Sequence, residues 1–184
     1  MNLANRLTLL RILLVPVFIA SLLYFSPEHP YLHTAAVGIY LVACLTDGLD
    51  GYLARKMDQK TLLGSYIDPI ADKLLLLSGY LSLSLIPHLP EAMRVPAWVT
   101  LVVLSRDVVI LVGSVVIFIA TGALKAKPLF VSKMTTVMQM TALFFSLLGF
   151  SWEIRLTAYV AACALTVLSG ILYVRVGGQM FQEA

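Results

Sequence analysis

Four aspartates within one short segment are the residues best suited to chemistry. Asp47 and Asp50 stand three apart and Asp68 and Asp72 four apart, so on helices each pair shares a face. The whole chain has ten acidic residues, and these four fall together. In a partly dry pocket four carboxylates repel one another, and each tends to take up a proton. A divalent cation removes that conflict. Donor sets made only of oxygen favour Mg2+, Mn2+ or Ca2+ over zinc. No His or Cys stands at ligand spacing beside them, since Cys44 is a lone thiol. Mg2+ commonly takes one or two carboxylates plus phosphate oxygens of a substrate. The expected chemistry is therefore the handling of a phosphate or pyrophosphate.

The acids stand in the run D-G-L-D-G-Y-L-A-R, followed by eight residues and then G-S-Y-I-D-P-I-A-D. Gly51 and Ala54 remove bulk beside them, so a ligand or a neighbouring helix can approach. Arg55 lies one turn after Gly51 and can pair with an aspartate or contact a phosphate oxygen. Taken singly, a small residue in a membrane helix is usually packing, and Arg55 is an interfacial anchor. Four acids at helical spacing inside apolar runs are different, because intramembrane acids are costly and functional by default.

The elements that must hold these residues follow from composition. The 184 residues are 60% hydrophobic and 12% charged, with a mean hydropathy of +0.91. A soluble domain of this size cannot hide so much apolar surface, and disorder is excluded on the same figures. Cys44 and Cys163 lie in apolar runs and read as small core residues, not as a disulfide framework. A net charge of +3 gives no argument for nucleic acid. Six stretches are long and apolar enough to span a bilayer as helices: 7–25, 33–55, 66–86, 96–121, 133–150 and 155–176. The fold class is an all-α integral membrane protein, one domain over 1–184, opening with an interfacial amphipathic segment. Nine Lys and Arg fall on one side of these spans, Arg6, Arg11, Arg55, Lys133 and Arg175 among them, against Arg94 and Arg155 on the other. That bias puts both termini and the acids on the cytoplasmic side, in a bacterial inner membrane. The two acid pairs then meet just inside the membrane, where their helices run antiparallel.

The run from Asp47 to Asp72 resembles the complete signature of the CDP-alcohol phosphatidyltransferase family, with Asp47, Asp50, Gly51, Ala54, Arg55, Gly64, Asp68 and Asp72 at its fixed positions. The resemblance implies a homodimer of six-helix protomers whose site opens to the cytoplasmic leaflet. It implies transfer of a phosphatidyl group from CDP-diacylglycerol to an alcohol with release of CMP. By the same resemblance Asp47, Asp50 and Asp68, with Asp72 contributing, bind two divalent ions, Mg2+ or Mn2+. Asp72 is the candidate general base, and Gly51, Ala54 and Arg55 line the CDP site. The chemistry suits these residues. Two ions can offset charge on attacking and leaving oxygens, and a carboxylate within about 3 Å of the acceptor hydroxyl can take its proton.

The acceptor must be read from the second half of the chain. Ser105-Arg106-Asp107 and the run K-P-L-F-V-S-K-M-T-T-V-M-Q, from Lys127 to Gln139, resemble cardiolipin synthases of the CDP-alcohol type. Phosphatidylglycerophosphate synthases more often show R-E and G-K-x-K-T at these places. The expected acceptor is thus phosphatidylglycerol, with glycerol 3-phosphate the alternative. Both carry a phosphate, and Lys133 and Arg106 are the candidate head-group contacts. Arg106 lies near mid-span and must pair, and Asp107 is too close in sequence to share its face. Lys73 can balance Asp72 or Asp47. Thr135, Thr136 and Gln139 serve either the head group or interhelical bonding. His29, His33 and His88 read as solvated or interfacial, and Met134, Met138 and Met140 as core filler. Two rival classes are weaker. A cation-coupled transporter would show inverted repeats and broken helices at mid-membrane. A prenyltransferase would need a second acid-rich motif on a distant helix.

Overall fold

The computed structural model describes the backbone of residues 3–56, 62–121 and 130–182, and the side chains of 9–46, 73–116, 119 and 130–176. Among the described residues it is all-helical, with six helices and no strand: α1 (Leu3–Leu23), α2 (Tyr31–Lys56), α3 (Leu62–Leu85), α4 (Ala97–Thr121), α5 (Phe130–Leu147) and α6 (Trp152–Gln182). Each coincides with one expected span. α4 and α6 carry apolar stretches of 20 and 25 residues, Ala97–Val116 and Trp152–Val176, long enough to cross a membrane. Two compact units are distinguished, Met1–Arg94 with Ser146–Gly149, and Val95–Phe145 with Phe150–Ala184.

In the first unit α1 packs on both α2 and α3. Val15, Phe18 and Leu22 recur at helical spacing and are buried, as are Ala36, Tyr40 and Ala43 of α2 and Leu76, Tyr80 and Leu83 of α3. The rings of Phe18 and Tyr40 meet between α1 and α2, 6.1 Å apart. Arg11, expected among the basic anchors, is instead buried within α1 at 1% exposure. Of the histidines read as solvated or interfacial, His88 is exposed and His33 half-buried, and both also bond the main chain. His33 donates from Nε2 to the Leu147 carbonyl at 2.7 Å, and His88 to the Leu22 carbonyl at 3.3 Å. A carbonyl can only accept, so the ring nitrogen is the donor. Arg94 closes the same region by donating from Nε to Leu89 O at 3.0 Å and from Nη2 to Pro87 O.

In the second unit α4 packs on α6. It buries several polar side chains and exposes large apolar ones. Thr135, Gln139, Thr166 and Ser169 are buried, while Leu101, Leu111, Val137, Val160 and Val174 are exposed. That inversion suits a lipid surround, in which buried polar groups must find partners within the protein. Their donors do. Thr135 Oγ1 shares its proton between Val131 O at 2.8 Å and Leu165 O at 3.1 Å, and Gln139 Nε2 donates to Thr166 Oγ1 at 2.9 Å. Met134 is 47% exposed, so it faces outward and is not core filler.

The end of α5 shows what an apolar run does not reveal. The helix stops at Leu147 although the apolar stretch continues to Phe150. Gly149 takes φ +67°, its N–H bonds Ser146 O at 3.0 Å, and the Phe150 N–H bonds Phe145 O at 3.1 Å. This is the glycine-terminated Schellman cap, with its hydrophobic contact supplied by Phe145 and Phe150 at 5.0 Å between rings. Arg155 then donates from Nε to Phe150 O at 2.9 Å and lies 5.4 Å from the Trp152 ring. The two cations assigned to the sparser side thus both hold loop carbonyls.

One glycine is required by packing. A Cβ on Gly113 would stand 2.9 Å from Tyr173 Cε1. The bare backbone lets the ring lie against α4, where the Tyr173 hydroxyl meets Ser114 Oγ. Ser114 gives its proton to Ile110 O at 2.7 Å, so Tyr173 is the donor. Gly113→Leu is expected to destabilise by about 1–3 kcal/mol through overpacking, outweighing the roughly 1 kcal/mol that a helical glycine forfeits. Gly38, where an added Cβ would meet nothing within 4 Å, is the control. Gly38→Ala should be neutral or mildly stabilising. Thermal unfolding in detergent checks both, and a Gly113→Leu melting temperature equal to wild type would contradict the packing account.

Candidate active site

The acid motif lies on α2 and α3, joined through residues 57–61. α2 carries Asp47, Asp50, Gly51, Ala54 and Arg55, and α3 carries Gly64, Asp68 and Asp72. Asp50 lies six residues before the end of α2 at Lys56, and Asp68 six residues after the start of α3 at Leu62. Each is therefore about 9 Å from its helix end at 1.5 Å per residue. Asp47 and Asp72 lie nine and ten residues from the same ends. The backbone thus sets the two pairs at matched distances from the α2–α3 connection. The side chains of Asp47, Asp50, Asp68, Asp72, Gly51, Ala54 and Arg55 lie outside the described residues, so the metal, base and CDP assignments remain expectations. Among the described residues no group of three or more His, Cys, Asp or Glu could hold a metal ion.

The residues expected at the acceptor are described in full. Lys133 is exposed in the first turn of α5, and Arg106 is 5% exposed in α4. The Arg106 guanidinium donates from Nη1 to Asp107 Oδ1 at 2.8 Å, and from Nη2 to Ser132 Oγ and to Ser169 Oγ at 2.9 Å. The pairing with Asp107 corrects the sequence reading. Adjacent residues on a helix point about 100° apart, yet the long arginine stem bends around the helix and closes the gap. Thr135 and Gln139 are spent on interhelical bonds, as described above, and Thr136 on its own helix, donating to Ser132 O at 3.1 Å. Lys73 is half-buried in α3.

Arg106 also lines a groove of about 430 Å³ formed by α4 and α6, with Ser105, Thr166 and Arg175 as its other polar members among valines, Gly170 and Ile171. Sequence reasoning missed Ser169 and the groove. The signal was present: Thr166, Ser169, Gly170 and Tyr173 recur at helical spacing in α6, a polar and small-residue stripe through an otherwise apolar run.

Comparison with known proteins places this arrangement. The sequence profile of CDP-alcohol phosphatidyltransferase matches residues 1–169. A probable phosphatidylglycerophosphate synthase of Mycobacterium tuberculosis strain H37Rv is 38% identical over 176 residues, covering 94% of this chain and 80% of that protein. A CDP-diacylglycerol–glycerol-3-phosphate 3-phosphatidyltransferase of Pseudomonas fluorescens is 38% identical over 113 residues, 60% of this chain and 53% of that one. A CMP-forming cardiolipin synthase of Oryza sativa subsp. japonica is 38% identical over 115 residues, 59% of this chain and 33% of that one. With the motif at its fixed positions and the match running through all six helices, the chain belongs to the CDP-alcohol phosphatidyltransferase family and is a transferase of membrane phospholipid biosynthesis.

Proposed function

We propose that this enzyme transfers the phosphatidyl group of CDP-diacylglycerol to glycerol 3-phosphate and releases CMP. The observation that carries the choice of acceptor is the extent of likeness. The match to the M. tuberculosis phosphatidylglycerophosphate synthase covers 94% of the chain, whereas that to the rice cardiolipin synthase covers 59%. This reverses the order suggested by Asp107 and Ser132 alone. The reading of phosphatidylglycerol as acceptor retains one specific support, the S-R-D and S-K-x-x-T-x-x-Q runs.

In the proposed reaction the acceptor hydroxyl attacks the phosphorus bearing diacylglycerol. The bond from that phosphorus to CMP breaks, and the hydroxyl proton passes to Asp72. Asp47, Asp50, Asp68 and Asp72 would hold the two divalent ions, Mg2+ or Mn2+. Their oxygen-only donor set fits such hard cations, and the matched register of the pairs on α2 and α3 supports a shared site. When bound, such ions offset the negative charge of the diphosphate. Gly51 and Ala54 leave room for CDP, Arg55 meets a phosphate oxygen, and Lys133 meets the phosphate of the acceptor. The protein works as a homodimer of six-span protomers in a bacterial inner membrane, with the N-terminal segment at the interface and both termini cytoplasmic.

Labelled glycerol 3-phosphate and phosphatidylglycerol, offered side by side to the purified protein with CDP-diacylglycerol and Mg2+ or Mn2+, test the reading. The expected product is phosphatidylglycerophosphate with matching CMP. Cardiolipin as the main product would restore the other acceptor. Cation flux into liposomes without CMP release would favour a transporter.

A further inference from the structure

We propose that Arg106 is a positioning residue for the acceptor: it holds the first turn of α5, which carries Lys133, and acts through Ser132 without touching the acceptor itself. This rests on the reading above that Lys133 meets the acceptor phosphate. Three observations carry it. First, both Nη atoms of the buried guanidinium are engaged within the protein, on Asp107, Ser132 and Ser169. Second, Asp107 cancels the charge that a phosphate-binding arginine would need to keep. Third, Ser132 directly precedes Lys133, two residues after α5 begins at Phe130.

That location matters physically. The first turn of a helix has N–H groups without intrahelical partners, and helix ends open more readily than helix centres. A charge-assisted bond from α4 to Ser132 pins this turn from outside. The same Nη2 also bonds Ser169 of α6, so the turn is referenced to two helices at once. Gly170 lies over the Arg106 stem, its Cβ position 3.9 Å from Cγ, which leaves the guanidinium in its observed course. Asp107 and Ser132 are the two residues that depart from the R-E and G-K patterns, and both bond this one guanidinium.

Kinetics separate positioning from direct contact. Ser132→Ala should raise KM for glycerol 3-phosphate roughly tenfold, the usual consequence of losing one charge-assisted hydrogen bond, with kcat and the KM for CDP-diacylglycerol little changed. Ser132→Thr keeps the hydroxyl and should restore the acceptor KM. Arg106→Lys combined with Ser132→Ala should lose no more than Arg106→Lys alone, because the two act through one bond. If Arg106 instead gripped the acceptor, Ser132→Ala would leave KM unchanged or lower it, and a double variant losing more than Arg106→Lys alone would show that the two residues act separately; either result overturns the proposal. A second readout does not depend on turnover. Spin labels at the exposed positions Val108→Cys and Phe130→Cys, in a chain carrying Cys44→Ala and Cys163→Ala, report the α4–α5 distance. Its distribution should broaden in Ser132→Ala and Arg106→Lys. An unchanged distribution overturns the proposal even where kinetics move. If the wild-type chain makes lipid from neither acceptor, the proposed function fails, and the distance distribution still decides whether Arg106 holds this turn.

Discussion

Asp72→Asn is expected to cut the rate of CMP release by about a thousandfold or more, at the upper end of what a positioned proton acceptor contributes, while the protein keeps its helix content and its elution volume. The substitution keeps size and polarity and removes only the charge and the basicity. It also reveals what the site costs. Carboxylates that share one site repel one another when no cation is present, so on the proposed site neutralising one should raise the melting temperature of the ion-free protein. Loss of activity together with a gain of stability is the signature of a residue retained for function at the expense of the fold. A variant turning over within about tenfold of wild type would remove Asp72 from the base role, because lost proton transfer costs more than that.

Chelation gives the other large effect. With EDTA, CMP release should fall below detection, and Mg2+ or Mn2+ should restore it where Zn2+ does not, because the proposed donors are carboxylate oxygens alone. The same titration has a readout in stability. An ion that binds only the folded state adds about 2.7 kcal/mol at a hundred times its dissociation constant, so the melting temperature should climb with ion concentration. In Asp47→Asn or Asp50→Asn that climb should shrink. Full activity in EDTA, or equal stabilisation of wild type and the two variants, would show that these aspartates do not seat the cation.

The helices were legible because long apolar runs without breakers satisfy their own backbone as helices, and all six runs coincide with helices. Their ends were not. The α6 helix continues to Gln182, past the apolar limit at Val176, since a helix can leave the bilayer without breaking. α5 ends early because Gly149 caps it, a conformational effect that hydropathy does not register. The family was legible from residue types at fixed spacing in one short run. The acceptor was not, because Asp107 and Ser132 were weighed as letters in a pattern, while the structure has both bonded to one guanidinium. Interhelical partners such as Ser169 for Arg106, or Thr166 for Gln139, depend on which helix faces meet, and a linear sequence does not state that.

The two histidine bonds bear on how two helices end. His33 opens α2 and lies 14 residues, about 21 Å at helical rise, from Asp47 on the same helix. His33 and His88 each give an Nε2 proton to a main-chain oxygen. The carbonyls they meet, Leu147 O at the end of α5 and Leu22 O near the end of α1, belong to the last turns of their helices, whose carbonyls lack intrahelical partners. Each ring thus serves as a side-chain cap on a helix that is not its own, and replacing either with phenylalanine removes that donor.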